Sequence, residues 1–521
     1  MIQGEESLFL GVDLGTSSVK AIIVDSAGKV VGQGSAGDPI HHPQPTHAEQ
    51  APEAWWDATI QAVRQAIASL SDSHAIVALS VTGQMHGTVL LDETAQLLGP
   101  AIIWPDQRSH AEVEAITQRV GADQLIATTG SPLATGFQAA TLHWIYQHRP
   151  TTWASIRHVL LPKDYLRWRL TNTFATDPSD AAGTLLLDAT TRTWAKDLLN
   201  LLEIDPAWLP PIQPSTAVAG ALLPEAATAL GLRPGLPVVT GAADTACSAL
   251  GAGVTKADTL LLTLSSGGQL LIPAEKMSVD PQGRIHTFCS ALEPNIGPGW
   301  YQMAALLNVG LVLRWLRDQL WELTGADAYT QMTTWAAQAP LGANGLLFLP
   351  YLMGERSPYM DAQARGLFIG LTLAQGRPEI ARAVLEGISL ACYNAFTVLQ
   401  AVGASPDCII LAGGGAASTF WRQLIADIFG RPVYPLAISA QSALGAAMLA
   451  GAGTGHLDLL ATAHTWTRLE TPVLPNLDHH AAYQQLLPLF REAYTQNRGL
   501  MAKLSTSNHL RGSREPSGWL P

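Results

Sequence analysis

Positive charge is scarce in this chain: 30 lysines and arginines stand against 42 aspartates and glutamates, a formal net charge of −12. Nucleic acid and anionic membranes demand clustered basic residues, so neither fits as the main partner and a small substrate fits better. Cysteine is also scarce. Cys247, Cys289, Cys392 and Cys408 lie apart among apolar neighbours without Cys-x-x-Cys spacing, which excludes a zinc ribbon or disulfide framework and predicts buried free thiols. No apolar run approaches the length that crosses a bilayer, and the opening MIQGEESL carries two acids where a signal peptide carries bases. These absences together predict a cytoplasmic chain. His41, His42 and His47 have no acids or cysteines at ligand spacing and read as a solvated Pro-rich loop.

What is present is apolar and rich in turns. Hydrophobic residues make up 47% of 521 positions, enough for two large cores, and 46 glycines with 33 prolines imply many short connections. The most informative segment is LFLGVDLGTSSVKAIIV at 8–24. An apolar strand ends at Asp13, Gly15, Thr16, Ser17 and Ser18 form a turn, and a second strand starts at Val19. Such a turn offers backbone N–H groups and hydroxyls to phosphate oxygens. Lys20 supplies positive charge, and Asp13 is suited to a hydrated magnesium ion. Standing alone, the segment reads equally well as an ordinary hairpin with a polar turn.

It does not stand alone. TLLLTLSSGGQLLIPA at 259–274 repeats the design, with Ser265, Ser266, Gly267 and Gly268 between two apolar runs. Two phosphate-type hairpins about 250 residues apart suggest a duplicated α/β fold. Its halves would face each other across a cleft, an arrangement that resembles the actin-like ATPases and by that resemblance implies two ribonuclease-H-like domains about a catalytic cleft.

Strands and helices alternate between these landmarks. Residues 52–70 place Trp56, Ile60, Val63, Ile67 and Leu70 at helical spacing behind Pro52; strand-like 75–83 and 88–92 flank the turn Gln84-Met85-His86-Gly87. An apolar strand at 237–240 runs into a turn carrying Asp244 and then a small-residue helix. A long helix is predicted over 377–400, and 411–433 reads as strand, glycine loop and helix. A boundary near 252 gives domains 1–252 and 253–503, and the aperiodic 504–521 reads as a disordered tail.

Seven segments, taken in order, resemble the FGGY family of sugar kinases, and most closely its members that act on xylulose. They are DLGTSSVKAII (13–23), GQMHG (83–87), LLPKDYLRWRLT (160–171), ATDPSDAAGTLLLD (175–188), GERSPYMDAQARGLFIGLT (354–372), LAGGGAAS (411–418) and ALGAA (443–447). The resemblance covers roughly residues 8–500 and implies an ATP-dependent kinase of a small ketose or polyol, foremost D-xylulose at its 5-hydroxyl. Another FGGY-type kinase, for ribulose, a ketotetrose or a polyol, is the alternative. An actin-like or chaperone-type ATPase shares the fold logic but has no use for GQMHG or a sugar-facing Asp244. ATP and Mg2+ are the implied cofactors, and a homodimer is left open.

Phosphoryl transfer to an alcohol needs a carboxylate to take the hydroxyl proton. By resemblance that base is Asp244, in a turn of small residues, while Asp13 holds magnesium through water. Two carboxylates alone would also suit a glycosidase; the paired phosphate hairpins argue against it. Met85, His86, Trp104, Asp106 and Thr245 are the implied sugar contacts, although Asp106 with Arg108 also reads as a surface ion pair. Gly15, Thr16, Ser17, Lys20, Ser266, Gly267 and the loop Gly413, Gly414, Gly415 are the implied ATP and phosphate contacts; the last also reads as a plain strand-to-helix turn. The chain departs from the family pattern in four places: Thr245 and Pro105 stand where asparagines are usual, Thr141 stands for a lysine, and the second phosphate turn reads Ser-Ser-Gly-Gly rather than Gly-Thr-Ser-Gly. Ser266 keeps a hydroxyl for phosphate.

Overall fold

The computed structural model describes residues 7–506. Hydrophobic periodicity in the first half produces β1 (Leu8–Leu14), β2 (Ser18–Asp25), β3 (Val30–Gly37), β4 (Ile76–Gly83), β5 (Val218–Ala221) and β6 (Pro237–Val239), arranged β5-β6-β4-β1-β2-β3. The second half supplies β7 (Thr259–Leu264), β8 (Gly268–Ala274), β9 (His286–Cys289), β10 (Trp300–Leu306), β11 (Cys408–Ala412) and β12 (Val433–Pro435), arranged β9-β10-β8-β7-β11-β12. Five strands of each sheet share one plan. A three-stranded antiparallel meander (β1-β2-β3 or β7-β8-β10) is extended on its other side by two parallel strands (β4 and β6, or β11 and β12). The duplication inferred from two hairpins is therefore a duplication of whole sheets.

Helices cover these sheets. Helix α1 (Pro52–Ile67) lies across β2 and β3; of the residues expected inward from the spacing Val63 is fully buried, but the rest of its buried face toward the sheet is Trp55, Ala58, Ala62 and Ala66. Trp56, Ile60 and Ile67 pack at its flanks. The reason is close approach: a side chain at Gly32 or Gly34 would strike the carbonyl of Ala66 or Ala62, so small residues face small residues. Further along come α2 (Pro162–Thr171), α3 (Pro178–Ala182) and α4 (Asp244–Gly251), then α5 (Arg377–Ala401), α6 (Thr419–Phe429), α7 (Gln441–Gly453) and α8 (Leu477–Thr506). Residues 504–506 close α8 and so do not belong to the expected tail; 507–521 lie outside the described residues. None of the described helices is long and apolar enough to cross a membrane.

One helix does not stay with its own half. α7 follows β12, yet it packs on β1 and β4 of the first sheet and crosses α4, the helix that follows the corresponding strand β6. Glycines make the crossing possible, because a side chain at Gly251 would meet the Gln441 carbonyl and one at Gly445 the Cys247 carbonyl. Gly11 on β1 likewise faces the Ala443 carbonyl of α7. Backbone cannot yield as a flexible side chain can, so Gly11→Ala is expected to destabilise the protein by about 1–3 kcal/mol. Thermal unfolding should show a melting temperature lowered by several degrees. Gly499→Ala, in open space on α8, should leave it unchanged or raise it.

Candidate active site

Strands β1, β4 and β6 run parallel, so their carboxyl ends open onto one rim of the sheet. Asp13 is the penultimate residue of β1; the turn Gln84–Gly87 follows β4, and Gly241 to Asp244 follow β6. Gly241 has φ +78° and faces the Val81 carbonyl, and Ala243 bridges to Gly83, which locks the third loop against the second. Sequence positions 13, 85 and 244 thereby meet.

Asp13 and Asp244 are held in a poorly solvated setting. Burial, then the charge of Asp244, pushes the Asp13 carboxyl up to about 7. Its Oδ1 is buried with no hydrogen-bond partner, an acceptor suited to a water of a hydrated cation. Burial also raises Asp244, to about 6, against the opposing hydrogen bonds of Thr245, whose N–H and hydroxyl donate to Oδ1 at 2.6 and 3.1 Å. Thr245 is buried, and its hydroxyl is engaged with Asp244.

His86 has φ +72°, a left-handed conformation that a non-glycine residue adopts only when its surroundings enforce it. Its Nδ1 lies 2.6 Å from the Gly183 carbonyl, which can only accept; the proton therefore sits on Nδ1 and leaves Nε2 as an acceptor. Burial lowers its pKa to about 4, so the ring is neutral. Met85 is buried beside Tyr301, whose hydroxyl lies 3.9 Å from the thioether. Trp104 donates from Nε1 to Thr16 Oγ1 at 2.8 Å, joining the implied sugar side to the first phosphate turn. Asp106 is committed elsewhere. Both its oxygens accept from Arg108 Nε, and they also take the N–H groups of Ala48 and Arg108, while Arg108 reaches Glu49 at 2.7 Å. Asp106 and Arg108 do form an ion pair, but a buried one rather than the surface pair expected.

In the first phosphate turn the Thr16 carbonyl accepts from Gln50 and the Ser17 carbonyl from Asp38, while the N–H groups of Thr16 and Ser17 take no partner among the described residues. Gly15 donates to the Ser18 carbonyl, and Ser17 and Lys20 are exposed. In the second turn the carbonyls of Ser265 and Ser266 receive the N–H groups of Gly310 and Leu311, and Ser266 Oγ and the N–H groups of Ser266 and Gly267 take no partner among the described residues. The glycine loop lies beside this turn. Gly413, at φ +85°, faces the Leu264 carbonyl and Gly415 the Leu264 side chain, whereas nothing lies within 4 Å of where a Gly414 side chain would start. The loop is a tight strand-to-helix turn, and it borders the turn at 265–268.

Sequence reasoning assigned no role to the group behind Asp244. Lys163, Asp164, Arg167, Asp177, Ser179 and Asp180 are all fully buried. Lys163 Nζ lies 2.7 Å from Asp164 and 3.0 Å from Asp177. Burial pulls the Lys163 pKa down, but the surrounding carboxylates outweigh it and hold the ammonium charged. Ser179 donates to Asp177 Oδ2 at 2.5 Å and accepts the Ala243 N–H at 2.9 Å, so a chain of polar contacts runs from Lys163 to the residue before Asp244. The available signal was the clustering of charges inside apolar stretches at 163–167 and 177–180. Ser179→Ala removes the acceptor for Ala243 and loosens the loop that carries Asp244, and displacing a functional group by about 1 Å costs roughly ten- to hundredfold in turnover. Steady-state kinetics should show that loss in kcat with little change in KM. Thr245→Val removes a donor that lowers the Asp244 pKa, so the acid limb of kcat/KM, expected near pH 6 in the parent protein, should move to higher pH.

The arrangement is matched by known proteins. The chain is 38% identical over 499 residues to a xylulose kinase of Escherichia coli K12, covering 95% of this chain and all of that one. Among solved structures, a gluconate kinase from Lactobacillus acidophilus superposes with a TM-score of 0.90 at 30% identity, over 96% of this chain and all of that one. A ligand-bound xylulose kinase from Lactobacillus acidophilus also gives 0.90, at 29% identity over the same shares. Residues 8–251 match the N-terminal domain, and residues 266–454 the C-terminal domain, of the FGGY family of carbohydrate kinases. Two sheets of one plan, the carboxylate pair at a strand rim and these matches establish that the chain belongs to the FGGY family of carbohydrate kinases.

Proposed function

We propose that this FGGY-family kinase transfers the γ-phosphoryl group of ATP to the 5-hydroxyl of D-xylulose, with Asp244 as the general base. The observation that carries the reading is Asp244 itself: a carboxyl raised by burial to about 6, at the rim where Asp13 and His86 also end. At neutral pH it is ionised and able to take the hydroxyl proton, yet basic enough to do so as the oxygen attacks. The sugar oxygen bonds to the γ-phosphorus, the bond from that phosphorus to the β,γ-bridging oxygen breaks, and ADP leaves. His86 Nε2 accepts a sugar hydroxyl and orients it, and Met85 and Trp104 pack against the carbon face. The loops on the second sheet, with Ser266, Gly267 and Gly413 to Gly415, hold nucleotide phosphate together with Gly15, Thr16, Ser17 and Lys20. Asp13 is suited to holding Mg2+ through water, and that ion supplies positive charge to the β- and γ-phosphates. In this reading residues 1–252 hold the sugar and residues 253–503 the nucleotide.

The resemblance to xylulose kinases supports the choice of sugar. ADP release measured on D-xylulose, D-ribulose, glycerol and D-gluconate should give the highest kcat/KM with D-xylulose; preference for another sugar by orders of magnitude would overturn that choice. Asp244→Asn should lose at least roughly a hundredfold in kcat while still binding ATP. Near-normal turnover of that variant would remove Asp244 from the base role.

A further inference from the structure

The segment GERSP at 354–358 has no part in the chemistry described so far, yet it is held with unusual care. The Glu355 carboxylate accepts the N–H groups of Leu307 at 2.7 Å and of Arg356 at 2.8 Å, and Asn308 Nδ2 binds both Glu355 Oε2 and the Gly354 carbonyl. On the other side, Ser357 N–H donates to the Ala305 carbonyl, and Ser357 Oγ donates to the Arg284 carbonyl. Backbone pinned on both sides of one residue fixes where its side chain starts. That side chain is Arg356, and among the described residues its guanidinium makes no hydrogen bond or ion pair.

The guanidinium instead lies 5.9 Å from the centre of the Trp104 ring, which belongs to the first half of the chain and is bonded to Thr16. Beside it is a box of rings: His86 and Phe137 at 4.0 Å, Phe137 and His286 at 6.0 Å, and His286 stacked on Phe288 at 5.4 Å. After burial, the charge of Arg356 helps to lower both His86, to about 4, and His286, to about 3, so its positive charge faces these neutral imidazoles. An unpaired cation over aromatic faces and neutral acceptors suits a polyhydroxylated ligand, whose carbon face packs on rings and whose oxygens accept from a planar fork of N–H donors.

We propose that Arg356 is a sugar-binding residue delivered from the second half of the chain. Its guanidinium donates to oxygens of the sugar held over His86 and Trp104, so the bound sugar ties the two halves together and favours a closed cleft. This rests on the reading of that rim as the sugar site. Lysine would keep the charge without the fork, and alanine would lose both.

The test is calorimetric binding of D-xylulose, with full steady-state kinetics, for the parent protein, Arg356→Ala and Arg356→Lys. Losing hydrogen bonds from a charged donor corresponds to roughly ten- to hundredfold weaker binding. Arg356→Ala should therefore raise both Kd and KM for the sugar by that factor and leave KM for ATP within about twofold. Arg356→Lys should recover only part of the loss, and it carries the test alone if the alanine variant does not fold. Sugar Kd and KM that stay at the parent's values in the variants overturn the proposal, as does a fall confined to kcat or a rise confined to the KM for ATP. If the parent protein neither binds nor phosphorylates D-xylulose, the functional reading itself fails. If the parent does both and the variants match it, only the role of Arg356 fails.

Discussion

The cleft chemistry depends on one short polar segment, residues 177–183, buried where apolar packing would have been cheaper. Through Ser179 it holds the Ala243 N–H, and with it the approach of Asp244; through the Gly183 carbonyl it fixes the tautomer of His86. The same segment thus holds both the loop that carries Asp244 and the ring of His86. Its own geometry is set by Lys163, an ammonium ion within reach of three carboxylates with no exposed surface. Breaking such a buried cluster by removing one partner leaves uncompensated charge, so positional precision is bound to the integrity of the core.

That burial has a second consequence. Asp13 and Asp244 are raised because the protein around them solvates charge poorly, and the same poor solvation strengthens any interaction with a phosphate, cation or sugar oxygen placed between them. Both raised carboxyls favour the folded state more as pH falls from their folded values toward those of an unfolded chain, and weigh against it as they ionise. Catalytic competence and fold stability therefore pull in opposite directions across the acid side of neutrality. At the glycine-lined crossing of α4 and α7, the two halves of the duplicated plan exchange contacts.

Much of this was legible in the chain because it is local. Two strand-turn-strand segments, the long helix at 377–401 and the strand, glycine loop and helix after 408 follow from periodicity and turn residues, and repetition of the hairpins pointed to the repeated sheet. What could not be read is what only tertiary adjacency creates. Spacing placed Val63 of α1 inward, as it is, but it also put Trp56, Ile60 and Ile67 there, and the glycines of β3 draw the helix so close that Ala62 and Ala66 face the sheet. The hydroxyl of Thr245 donates to the neighbouring Asp244 carboxylate, a bond that the sequence pattern did not point to. Asp106 is spent on Arg108 and on the Ala48 N–H, an allegiance that depends on a backbone group 58 residues earlier. Lys163 and Asp177 meet only because α2 and α3 pack behind the rim, and the return of α7 to the first sheet has no signature in its small, uniformly apolar sequence.

The central claim is geometric: the sugar hydroxyl that receives the phosphoryl group lies between Asp244 and the nucleotide, at the rim shared by Asp13 and His86. A crystal structure with D-xylulose, Mg2+ and a non-hydrolysable ATP analogue tests it directly. The account predicts the 5-hydroxyl within hydrogen-bond reach of the Asp244 carboxylate, roughly 2.6–3.2 Å, and in line with the terminal phosphorus. A sugar bound away from this rim, or one turning a different hydroxyl toward Asp244, would contradict it.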